Sequence, residues 1–272
     1  MNNRILKSSF ITLVLGLIYL PIASMILFSF NSNQSFRRFG GFSFRWYIEL
    51  FQHEEMMRAV LVTIIVAIVS TIISTIIGTL AAIALSKQKK VLKNLTLTAT
   101  NIPILNPEII TAISLFVLFG IFHLPSGYLT MILAHIAFST PYVIITVYPK
   151  VRSLDPNLAD AAADLGATPF QTLTRVIFPQ LKVAIIAGAA IAFTMSFDDF
   201  VISYFVTIGS GVSNISTYLY TLKRGMDPKV NALSTLIVLV IGLKITYDYF
   251  IGGPRKMRKE KLRGWEKLLF LY

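Results

Sequence analysis

Six long apolar runs, separated by shorter polar segments, dominate the pattern of the chain. They lie near residues 9–30, 59–85, 95–121, 128–149, 181–208 and 231–252. Each run is at least as long as the roughly 20 residues that an α-helix needs to cross the hydrocarbon core of a bilayer. The pattern therefore predicts an all-α integral membrane protein with six transmembrane helices.

The third apolar run differs from the others because polar residues and prolines interrupt it. Asn101, Pro103, Asn106, Pro107 and Glu108 all fall inside it. A proline in a spanning helix frees backbone polar groups, which then need protein or water as partners. We therefore expect this span to face the interior of the helix bundle and not the lipid.

Composition agrees with a membrane protein and narrows its chemistry. Hydrophobic residues make up 55% of the 272 residues, charged residues 14%, and the mean hydropathy is +0.70. Soluble domains carry about 25% charged residues. The absence of cysteine excludes disulfides and thiolate metal sites.

The formal net charge of +12 raises the question of a nucleic-acid partner, but the placement of the charge argues against one. Seventeen Lys and Arg residues fall on one side of the predicted spans, and seven on the other. The positive-inside rule assigns the richer side to the cytoplasm. The chain is therefore predicted to be a multi-pass protein of the cell (inner) membrane with both termini cytoplasmic.

A polar segment of the cytoplasmic side, between the fourth and fifth runs, carries helix start and stop signals. Asp155 is a suitable N-cap, with proline in the first helical position, and Gly166 suits the left-handed residue that closes a helix. Thr168 and Gln171 form a T-x-x-Q capping box for a second helix, which Pro179 is expected to end. The segment is predicted to be two short helices joined by a glycine turn.

This segment resembles the EAA loop of ABC importer permeases, whose consensus is E-A-A, three residues, G, nine residues, then I-x-L-P. The matching positions are Asp160, Ala161, Ala162, Gly166, Val176, Phe178 and Pro179. Asp replaces Glu and Phe replaces Leu. The resemblance implies a type I ABC importer permease fold in which this loop docks into a groove on a cytoplasmic ATPase. An ordinary connector between two helices is the alternative.

Acidic residues inside the spans are the main candidates for transport chemistry. Glu108 lies in the third span, and Asp198 and Asp199 lie in the fifth. Counting about 1.5 Å per residue places all three in the outer half of the bilayer. Lys244 and Asp248 are spaced to pair with each other, whereas these three acids have no evident basic partner. Three unpaired acids suit a cation pathway, and a buried acid bonded to neighbouring helices is the alternative for each.

Helical phase separates the two aspartates from the aromatic residues of the fifth span. Asp198 and Asp199 straddle one face, about 100° apart, so one is expected to brace the structure while the other contacts solute. The opposite face is an aromatic stripe of Phe193, Phe197, Phe200 and Tyr204. Because this stripe points away from the aspartates, Tyr142 or Tyr218 would have to supply any cation–π contact with the solute.

A second resemblance suggests the cargo. Residues 196–207 are similar to the S-x-D-D-x-V-x-S-x-F-V-T segment of PotC-type spermidine/putrescine permeases. Residues 107–109 and 112–115 match the P-D-I and A-I-S-L of that family, with Glu for Asp. The resemblance covers about residues 10–252 and implies a polyamine permease that forms half of a translocation pathway. The unpaired acids Glu108, Asp198 and Asp199 fit a pathway for such a cation.

The family also implies partners. These are a second homologous permease, two ATPase subunits that bind ATP and Mg, and an extracytoplasmic polyamine-binding protein. The chain has no G-x-x-x-x-G-K-[ST] motif, so it is expected to contain neither ATPase activity nor a cofactor, catalytic residue or metal site of its own. Its three histidines, His53, His123 and His135, are expected to be surface or packed residues.

The chain is predicted to comprise a first helix with an outer segment (1–58), a five-helix core (59–253) with the coupling loop at 152–180, and a basic cytoplasmic tail (254–272). Three other functions stay open. They are an ABC import permease for another solute, a proton-coupled secondary transporter, and a membrane scaffold without transport.

Overall fold

The computed structural model describes residues 3–34, 38–222, 227–247 and 249–250. Within these ranges the regular structure is helical, apart from one isolated bridge between Asn31 and Phe42. The α-helices are α1 (Asn3–Ser29), α2 (Arg45–Gln52), α3 (Glu54–Ser86), α4 (Lys90–Leu105), α5 (Glu108–Ile121), α6 (Tyr128–Arg152), α7 (Leu158–Asp164), α8 (Pro169–Gln171), α9 (Phe178–Phe197), α10 (Val201–Val206), α11 (Ile215–Thr221) and α12 (Pro228–Tyr247).

Five helical stretches in the described residues are long and apolar enough to cross a membrane. They lie in α1, α3, α6, the continuous path Pro169–Phe197, and α12. Helices α4 and α5 pass the same test only together, and they are bent by 108° where they meet. The all-helical membrane class is therefore confirmed, and the count reaches the predicted six only when the bent pair is one broken span.

The chain packs as two units. The first holds the residues up to Glu54 together with α12, and in it α12 packs on α1 and α2. The indole N–H of Trp46 donates to the Asn31 carbonyl (2.6 Å), and the Tyr47 hydroxyl lies 2.7 Å from that of Ser29. These bonds attach α2 to the end of α1.

The second unit runs from Glu55 to the end of α11, and α6 is its central helix. Helix α6 packs most extensively on α9 and also contacts α4, α5 and α10. One apolar cluster joins α3, α6 and α9 around Val143, Val147 and Leu181. Another joins α3, α5, α6 and α10 around Met131 and Ile202.

Two glycines let α3 and α9 approach α6 closely. A Cβ added at Gly78 would lie 2.7 Å from Val143 Cβ, and one at Gly188 would lie 3.3 Å from Val143 Cγ1. Small residues at such positions are typical of helix contacts in membranes, where close backbone approach drives association.

The fifth apolar run is not one continuous helix. Helix α9 ends at Phe197 and α10 begins at Val201, so Asp198 and Asp199 lie in the interruption. The aromatic stripe predicted by helical phase is accordingly wrong as a single face. Phe193 stacks on Phe197 (5.6 Å between centroids) before the break, and Phe200 stacks on Tyr204 (5.7 Å) after it.

The prediction that Pro179 ends the second cytoplasmic helix is also wrong. Helix α8 continues through a π-helical stretch, Thr172–Ile177, directly into α9. The Phe178 N–H bonds five residues back, to the Leu173 carbonyl, and Pro179 follows in the first turn of α9. The wider π-helical turn before Pro179 accommodates a residue that has no N–H to donate, so the helix continues past it.

The remaining local predictions concern the start of α7, the segment 209–230 and the C-terminal residues. Asp155 does not cap α7 directly, because its carboxylate accepts the Asn157 N–H (2.9 Å) in a turn before the helix, which begins at Leu158. The segment 209–230, which is predicted to lie on the outer side, contains the short helix α11 in its described part. Asp248 and the tail 254–272 lie outside the described residues, so the Lys244–Asp248 pair and the tail stay predictions.

Candidate functional site

The two helix breaks of the second unit meet at one cavity of about 370 Å³. Asn106 and Pro107 separate α4 from α5, and residues 198–200 separate α9 from α10. The structure thus brings together all three acids that the sequence singles out. The cavity is lined by Pro103, Asn106, Glu108, Thr111, Phe138, Tyr142, Met195, Asp198, Asp199, Phe200, Val201 and Ile202.

Glu108 and Asp198 are the exposed acids of this cavity. Glu108 is the first residue of α5, immediately after Pro107, which ends the extended turn from α4. Asp198 is the residue at which α9 stops, with its N–H still bonded to the Thr194 carbonyl (3.3 Å). Because both residues lie at helix ends, their carboxylates reach a cavity between helices.

Asp199 has a different environment. It is only 4% exposed, and its carboxylate accepts hydrogen bonds from the Ser203 N–H (2.8 Å), the Ser203 hydroxyl (2.6 Å) and the Ile202 N–H (3.3 Å). These bonds satisfy backbone donors in the first turn of α10, which otherwise have no intrahelical acceptor. Asp199 therefore stabilises the helix restart after the break.

Asp199 also faces His135 of α6. The His135 Nε2 atom lies 3.3 Å from Asp199 Oδ2 and 3.0 Å from the Ser203 hydroxyl. On the other side of the ring, Nδ1 lies 2.6 Å from the Ser196 hydroxyl. His135 is 1% exposed, so the imidazole links α6 to both sides of the break in the interior of the unit.

Further bonds extend this buried polar cluster to α3 and α11. The Ser196 hydroxyl lies 3.0 Å from that of Ser70 in α3. The Asn214 amide donates to the Asp199 carbonyl (2.7 Å) and to the Ser203 hydroxyl (2.9 Å). Its own oxygen accepts the Thr217 N–H (2.9 Å) at the start of α11.

These contacts correct one sequence-based expectation and agree with two others. The expectation that Asp199 has no basic partner is wrong, because His135 faces its carboxylate. One aspartate does brace the structure, and His135 is a packed histidine. Sequence reasoning missed the role of His135, although an ionisable residue inside an apolar span is in itself a sign of function.

Aromatic residues complete the cavity wall. Tyr142, Phe138 and Phe200 line it, and the cation–π contact expected of Tyr142 stays a prediction. Tyr218 lies instead at a separate cavity of about 240 Å³ with Glu55 and Arg58.

The second candidate site is the segment between α6 and α9. Helix α7 ends in a Schellman motif, in which the Gly166 N–H bonds the Ala163 carbonyl (2.8 Å) and the Ala167 N–H bonds the Ala162 carbonyl (3.0 Å). Gly166 has φ of +80°, as predicted for a closing glycine. The capping box is also present, with the Thr168 N–H bonded to Gln171 Oε1 (2.9 Å) and the Gln171 N–H to the Thr168 hydroxyl (3.3 Å).

Large apolar side chains are exposed around this turn. Leu165 is 90% exposed and Phe170 is 74% exposed. A cavity of about 430 Å³ lies beside them, between α7 and the π-helical stretch, and its lining includes Ala161, Gly166 and Val176. Asp160 and Ala161 are exposed, whereas Ala162 is buried. An exposed apolar tip next to a concave surface is typical of a protein–protein contact.

The chain is similar to known proteins over most of its length. Residues 74–251 match the family described as "Binding-protein-dependent transport system inner membrane component". The chain is 34% identical over 241 residues to the spermidine/putrescine transport system permease protein PotC of Escherichia coli K12, covering 88% of this chain and 91% of the relative. It is 35% identical over 263 residues to the putrescine transport system permease protein PotI of the same organism, with coverages of 93% and 92%.

A similar fold occurs in a solved structure. A chain of a bacterial ABC transporter involved in the import of the acidic polysaccharide alginate superposes with a TM-score of 0.72 at 15% identity, covering 90% of this chain and 95% of the other. The family match and the two relatives lead to one conclusion. The chain belongs to the family of binding-protein-dependent transport system inner membrane components.

Proposed function

We propose that the chain is the permease subunit of an ATP-driven ABC importer for polyamines, and that it forms half of the translocation pathway. The observation that carries the proposal is the cavity at the two helix breaks, where Glu108 and Asp198 are exposed together. The names of the relatives, PotC and PotI, support spermidine or putrescine as the cargo.

The cavity chemistry suits an organic cation. Moving a charged ammonium group through hydrocarbon without counter-charges is prohibitive, because the ion loses its hydration. Two exposed carboxylates would replace part of that hydration. Phe138, Tyr142 and Met195 lie in the same wall, and they would contact the methylene segments between the ammonium groups of a polyamine.

The three acids would have different roles. Glu108 and Asp198 would contact the ammonium groups, since their side chains are accessible from the cavity. Asp199 would contribute to the pathway by holding the break in place, since its carboxylate is occupied by Ser203 and His135. The break itself would provide the non-helical backbone that membrane proteins tolerate only beside a cavity.

The proposed topology has six spans, with α4 and α5 as one broken span, and both termini in the cytoplasm. The excess of Lys and Arg on that side supports this orientation. The proposed partners are a second homologous permease, two ATPase subunits that bind ATP and Mg, and an extracytoplasmic polyamine-binding protein. This chain would hydrolyse no ATP and would hold no cofactor.

Coupling to the ATPase would occur at the cytoplasmic segment that contains α7 and α8. The proposed docking residues are Asp160, Ala161, Ala162, Gly166, Val176, Phe178 and Pro179. Helix α8 runs without interruption into α9, and the path Pro169–Phe197 ends next to Asp198. Its 29 residues correspond to a helix about 40 Å long. A displacement at the ATPase would therefore reach the cavity through one continuous helix.

The test is uptake of labelled spermidine and putrescine in cells that lack the chain, with and without its restoration. Restored uptake that stops when the partner ATPase is inactivated, and survives collapse of the proton gradient, supports the proposal. An assembled complex that restores uptake of neither polyamine would contradict the cargo. Uptake that depends on the proton gradient alone would favour the secondary transporter.

A substitution at the glycine turn tests the coupling. Gly166→Val places a β-branched residue at φ of +80°, which costs about 1–3 kcal/mol of backbone strain and reshapes the turn. We expect at least a tenfold loss of uptake, with reduced co-purification of the ATPase.

Gly209→Val is the matched control, because Gly209 has φ of +75° and, like Gly166, no atom within 4 Å of an added Cβ. It lies in the proposed outer segment, so its variant should keep the ATPase bound. Gly166→Asn should retain most of the uptake, since Asn tolerates the left-handed conformation. Normal ATPase binding and uptake in Gly166→Val would refute docking at this turn.

A further inference from the structure

The atoms that face the two ring nitrogens of His135 are both placed as hydrogen-bond acceptors, whereas a neutral imidazole has only one N–H to donate. We propose that His135 carries a proton on both ring nitrogens and neutralises Asp199. The cavity would then present two uncompensated carboxylates, Glu108 and Asp198, to the cation. The protonation of His135 stands on hydrogen-bond geometry alone, and its effect on the cargo rests on the proposed function.

The contacts on the Nδ1 side require that nitrogen to donate. The Ser70 hydroxyl lies 2.6 Å from the Val66 carbonyl, which only accepts, so Ser70 uses its proton there. The Ser196 hydroxyl, 3.0 Å from Ser70 Oγ, must then donate to it. Ser196 has no second proton. Its 2.6 Å contact with His135 is therefore a bond in which Nδ1–H donates.

The contacts on the Nε2 side require the same of that nitrogen. The Ser203 hydroxyl donates its proton to the Asp199 carboxylate at 2.6 Å and accepts from the Asn214 amide at 2.9 Å. What faces Nε2 is thus a hydroxyl oxygen at 3.0 Å and a carboxylate oxygen at 3.3 Å, both acting as acceptors. Both ring nitrogens are donors only in the imidazolium form.

The groups around His135 are consistent with a charged pair formed by His135 and Asp199. Ser196 of α9 and Ser203 of α10 face the ring nitrogens, and the edge-on ring of Phe138 lies 5.2 Å away within α6. Among the described residues Asp199 is the charged group in contact with His135, and Glu108 acts on Asp199 and, less strongly, on Asp198. A buried charge is retained when it is paired and hydrogen-bonded. Removal of one partner leaves the other charge buried and unpaired, at the full cost of its desolvation.

The pair has a consequence for substrate recognition. With His135 charged, a substrate meets the charge of two carboxylates, which matches two ammonium groups. Asp199→Asn leaves the imidazolium uncompensated and weakens the attraction for cations. The double variant His135→Gln/Asp199→Asn removes both charges and returns the net charge to its original value. His135 is therefore a positioning and charge-setting residue that acts through Asp199.

The first experiment measures the ring protonation directly. The full chain is labelled with ¹⁵N-histidine and assembled with its partners in lipid nanodiscs. Solid-state NMR at pH 7 then measures the ¹⁵N shifts of the imidazole rings, and the signal missing in His135→Gln is assigned to His135. We expect two ring nitrogens of nearly equal shift, as in imidazolium. Widely separated shifts in the unsubstituted protein, with one bare nitrogen, would overturn the proposal whatever the cargo is.

The second experiment measures KM and maximal rate for spermidine and putrescine. We expect Asp199→Asn to raise KM by about tenfold and the double variant to restore KM to within about threefold, because contacting charges are strongly non-additive. His123→Gln, in an exposed loop, is the matched control and should change neither parameter. A double variant with a KM as high as that of Asp199→Asn would show that His135 is neutral. A confirmed imidazolium together with normal uptake in Glu108→Gln/Asp198→Asn would instead refute the proposed pathway and keep the buried pair.

Discussion

The double variant Glu108→Gln/Asp198→Asn is expected to lower polyamine uptake by about 100-fold or more, with the protein still assembled in the membrane. A hydrogen bond to a charged group contributes about 1.5–3 kcal/mol. Loss of two such contacts raises the barrier by at least about 3 kcal/mol, and 1.4 kcal/mol corresponds to a factor of ten. Initial uptake rates of labelled spermidine, normalised to the amount of chain in the membrane, provide the measurement.

The fold should survive this change because both residues are exposed at the cavity and the amides keep the side-chain volume. Each single variant is expected to lose about tenfold by the same reasoning. Glu54→Gln is the matched control, since it makes the same acid-to-amide change at an exposed position where α3 begins, and Glu54 does not line the cavity. Uptake by the double variant at the level of this control would remove both carboxylates from the pathway.

Gly78→Val is expected to give the largest loss of stability in the second unit, about 3 kcal/mol. The added Cβ alone would lie 2.7 Å from both Cβ and Cγ1 of Val143 and 3.2 Å from the Thr140 carbonyl oxygen. Backbone and a rigid β-branched side chain cannot move aside as the end of a long side chain would. Overpacking of this kind typically costs about 1–3 kcal/mol, and here it would separate α3 from α6.

Thermal unfolding of the purified protein in detergent, followed by the signal from α-helix, measures the effect. Gly120→Val is the matched control, because Gly120 lies in α5 and an added Cβ there meets no atom within 4 Å. A Gly78→Val protein that unfolds at the temperature of this control would show that the α3–α6 contact is looser than described.

Patterns of neighbouring residues, such as apolar runs, helix caps and turn glycines, predicted most of the local structure. Five of the apolar runs correspond to helices or helical paths long enough to span a membrane, although a break interrupts the fifth run. The turn at Gly166 and the capping box at Thr168 have the expected geometry, because each involves residues within a few positions of one another. Pro179 shows the limit of such rules, since the π-helical stretch before it carries the helix past a residue that usually stops one.

The sequence by itself determined the class of protein, the positions of most spans, the acids worth examining and the resemblance to a permease family. Only the tertiary structure decided that the helix is interrupted at residues 198–200 and that this break meets the break before Glu108 at one cavity. It also decided that Asp199 faces His135 while Asp198 stays accessible. The physical reason is separation along the chain. The bonds that hold His135 join residues 61 and 68 positions apart, and no pattern of adjacent residues encodes which distant hydroxyl or carboxylate will satisfy a buried ring.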